Sequence, residues 1–155
     1  MIAVRPAVPA DAEAMSAVLT ASIRELCTAD HRDDPEILAG WLRNKTPQMV
    51  ARMFDRPGAA LLVAARDGEI AAVGCLNGPD EIGLNYVAPG HRFHGVSKAL
   101  LAALEDRIRL SGADVARLTS TGTAHRFYLA NGWHDAGPAE ADRGMLCYPM
   151  EKRLR

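Results

Sequence analysis

Between Ile82 and Leu104 the chain passes from a strand to a helix through a loop containing Pro and Gly, and this join constrains the fold more than any other stretch. The run Ile82 to Val87 is an apolar strand that ends at Val87. Ala88 to His94 reads as loop. From about Gly95 a helix begins, with Val96, Leu100, Leu101, Leu104 and Ile108 on one side and Lys98, Glu105, Asp106 and Arg109 on the other. A loop that opens a helix leaves backbone N–H groups without partners and aims the positive end of the helix dipole outward. Such a place holds phosphate without many charged side chains. The segment therefore predicts a site for a phosphorylated ligand.

Two common phosphate loops do not fit. Gly90 and Gly95 have P-loop spacing and Ser97 stands in the hydroxyl position, but Val96 fills the lysine slot and Lys98 is out of register. No Gly-x-Gly-x-x-Gly follows any strand, which argues against a dinucleotide fold. What remains is Arg92-x-x-Gly95-x-Ser97 between a strand and a helix. It resembles the acetyl-CoA loop of the GCN5-related N-acetyltransferases (GNAT family), usually Arg/Gln-x-x-Gly-x-Gly/Ala. Ser97 is a mild departure at the last position. A second stretch resembles the family's later motif, carried by Ala124, Phe127, Tyr128, Gly132 and Trp133. With the Val4-Arg5-Pro6-Ala7 start the resemblance covers nearly the whole chain and tapers between about Cys27 and Ala59.

The rest of the sequence supplies an α/β framework in one domain, residues 1–155. Residues 2–5 read as a strand, and Pro9-Ala10-Asp11 opens a helix running to about Leu26. Asp33-Asp34-Pro35 starts another helix, with Pro35 at its first position. A short amphipathic piece covers Met49 to Phe54. Ala60–Ala65 and Ile70–Leu76 join through Asp67-Gly68 as a hairpin. Strands at Glu81–Val87, Val115–Leu118, Trp133–Ala136 and Gly144–Met150 complete the order, with a helix around Tyr128. This order matches the family resembled. The resemblance implies a mixed, mostly antiparallel sheet of about seven strands flanked by about four helices. It also implies a splayed strand pair that forms the acetyl-CoA cleft.

The activity implied is acetyl transfer from acetyl-CoA to a primary amine of a small metabolite or peptide, by direct attack on the thioester. The alternative is a non-catalytic acyl-CoA-binding or regulatory module of the same fold. The N–H groups from about Phe93 to Ser97, within the stretch Arg92, Phe93, His94, Gly95, Val96, Ser97 and Lys98, would hold the pyrophosphate. Arg92 adds charge. Tyr86 and Val87 would offer the strand backbone to the pantetheine arm, and a strand N–H would polarise the carbonyl. Tyr128 matches the family's tyrosine that serves the departing thiolate as general acid, with packing on the cofactor as its structural alternative.

A base is harder to assign. An alkylamine with a pKa of ~10.4 is about 3.4 units from neutral at pH 7, roughly 4.6 kcal/mol. Glu81 matches a strand glutamate used as base in the histone-acetylating branch. In an extended strand it shares a face with Gly83, Asn85 and Val87. A solvated glutamate that merely opens the strand is the equal alternative. Asn85 could instead face the substrate and position a water. Substrate choice would fall to Cys27–Pro57 and to the Asp135–Arg143 loop. Their acidic residues Asp30, Asp33, Asp34, Glu36, Glu140 and Asp142 could attract a cationic amine.

Composition sets limits. The chain is 48% hydrophobic and 24% charged with a net charge of −1, which gives no basic face for nucleic acid. No apolar stretch approaches the ~20 residues of a membrane span. Arg5, Pro6, Pro9 and Asp11 interrupt any signal-peptide core, so the cytoplasm is the expected compartment. Cys27, Cys75 and Cys147 suggest neither disulfides nor zinc. His91 and His94 lack a third ligand, so no metal is expected. Similar proteins often form homodimers, and nothing in the sequence fixes such an interface.

Overall fold

In the computed structural model, which describes residues 1–155, β1 (Ile2–Pro6) leads through a 3-10 turn into α1 (Ala12–Leu26). Three short helices follow: α2 (Thr28–His31), α3 (Pro35–Leu42) and α4 (Pro47–Met53). Then come β2 (Ala60–Arg66), β3 (Glu69–Leu76) and β4 (Glu81–Val87). The second half runs α5 (Val96–Leu110), β5 (Val115–Thr121), α6 (His125–Ala130), β6 (His134–Asp135), β7 (Glu140–Asp142) and β8 (Met145–Arg153). One sheet holds all eight strands in the order β1-β2-β3-β4-β5-β8-β6, with β7 on β8. Only β4 and β5 are parallel. No helix is long and apolar enough to cross a membrane.

The sheet has helices on both faces, so its central strands read as continuous apolar runs. Along β2, Leu62 and Ala64 join a core with Leu100, Leu101, Leu104 and Ile108 of α5. Leu61 and Val63 turn the other way, onto Met15, Val18 and Leu19 of α1 and Val50 of α4. Burying each such Leu or Val is worth ~1.5–3 kcal/mol. The α5 helix packs tightly over Gly74, where a Cβ would lie 3.0 Å from the Leu104 side chain. The Asp67-Gly68 turn adopts the expected left-handed pair (φ 53° and 86°), which suits a two-residue hairpin.

Three features differ from the sequence-based expectation. Residues Thr28–His31 form α2 in a region without pattern. Strand β7 lies inside the stretch expected to be loop, joined to β8 through Arg143 and Gly144 at φ 51° and 80°. An arginine is an uncommon residue for that turn, which is why the hairpin leaves little trace in the sequence. Finally, the last expected strands are redistributed: β6 keeps only His134–Asp135, while β8 extends to Arg153 and pairs with β5 from Val115 to Thr121.

Candidate active site

The site begins where two parallel strands part. β4 and β5 pair only at Glu81/Arg117 and Ile82/Leu118. Beyond that point β4 stays on β3 and β5 stays on β8, so a gap opens inside the sheet. A β-bulge in β4, where the register on β3 shifts between Cys75 and Leu76, decides which groups face this gap. The Ala88 N–H donates to Ala71 O across β3 (2.7 Å). By strand alternation Tyr86 and Leu84 also direct their backbone to β3, and Asn85 and Val87 direct theirs to the gap. Unpaired N–H and C=O groups within a sheet suit a ligand that carries amides. Of the two residues expected to offer backbone, Val87 turns its N–H and C=O toward the gap and Tyr86 turns its own to β3. Tyr86 contributes its side chain instead.

The bulge also overturns the expected face of Glu81. Ile82 and Val87 pack on the α5 side of the sheet, whereas Leu84 and Tyr86 pack on the α1 side, so the alternation slips between 82 and 84. Glu81 therefore does not share a face with Asn85 and Val87. It is exposed at the closed end of the gap, about 13 Å along the strand from Asn85, beside the Asn77 amide (3.5 Å). Asn77 lies where a Cβ on Gly83 would have to be, which accounts for the glycine.

A cleft of about 370 Å³ runs from the gap to the start of α5. Asn85, Tyr86, Val87, Arg92, Phe93, Gly95, Val96, Ser97, Lys98 and Tyr128 of the expected set line it; His94 and Glu81 do not. At its α5 end, Gly95 takes φ 81° and the helix starts without a side-chain cap. Its first turn carries no acidic residue, and the first intrahelical bond is Ala99 N–H to Gly95 O. The N–H groups of Val96, Ser97 and Lys98 are thus free for an anion, and the dipole adds to their pull. Fifteen residues of helix stand behind them.

At the other end, the Asn85 Nδ2 donates to the Tyr128 Oη (3.1 Å). The phenol accepts this bond, so its own proton stays available. Burial pushes Tyr128 up to about 12, and the Asn85 bond offsets only part of that. Tyr86 is raised further by the same cause, while its oxygen accepts from Trp41 Nε1 (3.3 Å), tying α3 to β4.

Sequence reasoning missed what holds Tyr128 in place. Asp30, buried on α2, accepts from Gly122 N (2.7 Å), Thr123 N (3.2 Å) and Thr123 Oγ1, fixing the loop that opens α6. Asp34 caps α3 by accepting from Glu36 N and Ile37 N. These two carboxylates, expected among groups that could draw a cationic amine, are bonded to the chain's own backbone. Ser22 and Leu26 of α1, with Cys27 just after it, complete the cleft wall, and no motif marks them. No Asp or Glu lines the cleft. His91 is held between Arg66 (3.3 Å) and Glu69 (3.2 Å), and no group of three or more His, Cys, Asp or Glu converges anywhere.

Comparison with known proteins agrees with this geometry. The Acetyltransferase (GNAT) domain model matches residues 27–154. A GCN5-related N-acetyltransferase structure from Rhodopseudomonas palustris, titled "Aminotransferase, Class-II", is 26% identical, covering 98% of this chain and 95% of that one at a TM-score of 0.86. The PaiA N-acetyltransferase from Thermoplasma acidophilum, solved with coenzyme A, is 21% identical over 99% of each chain, at a TM-score of 0.80. The yncA protein of Salmonella typhimurium, solved with its cofactor acetyl-CoA, is 20% identical over 100% of this chain and 95% of that one, at 0.69. No curated protein sequence matches the chain. A family model spanning most of the sequence, on a sheet that splays at β4 and β5, means that this chain belongs to the GNAT acetyltransferase family.

Proposed function

We propose that the chain transfers an acetyl group from acetyl-CoA to a primary amine of a small metabolite or peptide. One observation carries the reading: a single cleft joins free N–H groups on α5, an unpaired β4 edge and a buried phenol with its proton available. The three elements fit the pyrophosphate, the pantetheine amides and the thioester of one acyl-CoA molecule.

Val96, Ser97 and Lys98 N–H would hold the pyrophosphate, with the Arg92 guanidinium alongside. Asn85 and Val87 would pair with the pantetheine amides and offer an N–H to the carbonyl oxygen as negative charge develops there. The amine nitrogen attacks the carbonyl carbon, the C–S bond breaks, and its electron pair leaves on sulfur. One proton departs from nitrogen and one ends on the thiol. Tyr128, held up to about 12, stays protonated at every working pH and donates a hydrogen bond to the sulfur. Complete transfer to a thiolate of pKa ~8.5 is uphill by several kcal/mol. The phenol therefore passes its proton only as it regains one from the nitrogen side. Since no carboxylate lines the cleft, the amine loses its first proton to water, and Glu81 takes no part.

That same lack of a carboxylate favours a second reading, a module that binds acyl-CoA without turnover. Thermal unfolding with acetyl-CoA, and with ATP as control, tests the shared premise. Ligand at a hundred times Kd adds ~2.7 kcal/mol, about 5–10 °C for this chain length. No shift at millimolar acetyl-CoA rejects both readings. With a shift in hand, thiol release across a panel of amines separates enzyme from module.

A further inference from the structure

We propose that the ring of Phe93 is a stacking platform for the adenine of the cofactor. The inference rests on the acyl-CoA reading above. Phe93 is 90% exposed and is the one aromatic among the exposed large apolar side chains. It takes φ 63°, a left-handed conformation that bulky side chains seldom adopt and that marks strain at functional positions. The Arg92 guanidinium lies over one face of the ring, with Cζ 4.6 Å from the centroid. The opposite face is open to solvent. A strained backbone that holds a large apolar ring out in water calls for a ligand that covers it.

The position selects the ligand. Phe93 lines the cleft at its α5 end, two residues before Gly95, so the two Cα atoms are at most about 7 Å apart. A CoA with its thioester at Tyr128 and its pyrophosphate on Val96–Lys98 carries its adenosine outward past this loop. Adenine is the only flat, weakly polar part of the molecule at that end. Aromatic side chains stack on bases with little regard for hydrogen-bond pattern, and the loss on alanine substitution corresponds to roughly 5- to 150-fold in affinity. The Arg92 cation on the far face keeps the ring in place and remains near enough to meet a phosphate.

The test compares acetyl-CoA with acetyl-phosphopantetheine, which lacks the adenosine, by calorimetric titration of the wild type, Phe93→Ala and Phe93→Trp. Phe93→Ala should bind acetyl-CoA about tenfold more weakly and acetyl-phosphopantetheine unchanged. Phe93→Trp should keep the wild-type affinity, and acetyl-CoA alone should quench the added indole fluorescence beyond that of Trp41 and Trp133. Melting temperatures of both variants should match the wild type, since the side chain touches little of the fold. Equal weakening toward both ligands, or weakening toward neither, overturns the platform while leaving the acyl-CoA site intact. Failure of the wild type to bind acetyl-CoA removes both. An altered oligomeric state in Phe93→Ala without a change in ligand discrimination assigns the ring to a protein contact instead.

Discussion

The Asn85 amide and the Tyr128 phenol meet at 3.1 Å across the gap between β4 and α6, with the amide as donor. This bond fixes the phenol oxygen without consuming its proton, so Tyr128 keeps one donor for a group in the cleft. It also links a strand edge open to an amide-bearing ligand with the side chain nearest to where the thioester would lie.

Replacing Tyr128 with Phe removes that donor and little volume. We expect kcat to fall by ~10²–10⁴-fold, the usual range for a positioned acid. The Kd for acetyl-CoA should stay within about twofold, since the pyrophosphate and strand contacts remain. Steady-state kinetics with a thiol-release assay and a direct titration read the two quantities separately. A proportional loss in both would make Tyr128 a packing residue.

Asp30→Ala would strip three hydrogen bonds, all made to a buried carboxylate, from the exposed loop residues Gly122 and Thr123. A hydrogen bond to a charged group is worth ~1.5–3 kcal/mol, and water at the exposed loop makes good part of the loss. The expected destabilisation is about 2–4 kcal/mol, or roughly 5–15 °C in Tm. Turnover should fall as well, because this loop opens the helix that carries Tyr128. Calorimetry on the variant would contradict the anchoring role if Tm moved by less than about 2 °C.

The cleft lining contains no carboxylate, so the acceptor amine must arrive neutral or lose its proton to solvent. For an alkylamine, log kcat/KM should then rise by about one for each pH unit between pH 6 and 9. A plateau setting in below pH 8 would reveal a base on the protein and reopen the case for Glu81.

Lys45 is buried, donates to Asn44 Oδ1 and Trp41 O, and has no acidic partner. Burial, with Arg143 adding to it, lowers its pKa from 10.5 to about 8. Below pH 8 the folded and unfolded chains both carry the charge, and the fold bears the full cost of burying it. Between pH 8 and 10.5 the unfolded state binds more protons, so this group's contribution to stability rises with pH. Lys45→Met should remove that rise, an upper limit of about 3 kcal/mol. Urea melts at pH 7 and pH 10 check it; an equal pH dependence in wild type and variant would refute it.

Much of the site is readable in the sequence because it is made locally. Arg92 to Ser97 places free N–H groups at a helix start through a few consecutive residues, the α5 pattern declares its face by periodicity, and the unbroken apolar runs of β2 and β3 declare strands buried on both sides. The Asp67-Gly68 turn and the Pro35 helix start likewise depend on adjacent residues. What the sequence hides depends on pairing between distant strands. One added residue in the β4 ladder, Gly83, turns Glu81 away from Asn85 and sends the Val87 backbone to the gap; the glycine is its one local mark, and the pairing on β3 decides what it does. The partners of Asp30 lie 92 and 93 positions away, and Trp41 reaches Tyr86 across 45. Local chemistry determined the strand, the loop, the helix and the family. Strand register and long-range hydrogen bonds decided which of the named residues face the cleft, because a side chain's direction in a sheet is set by its neighbour strand as much as by its own sequence.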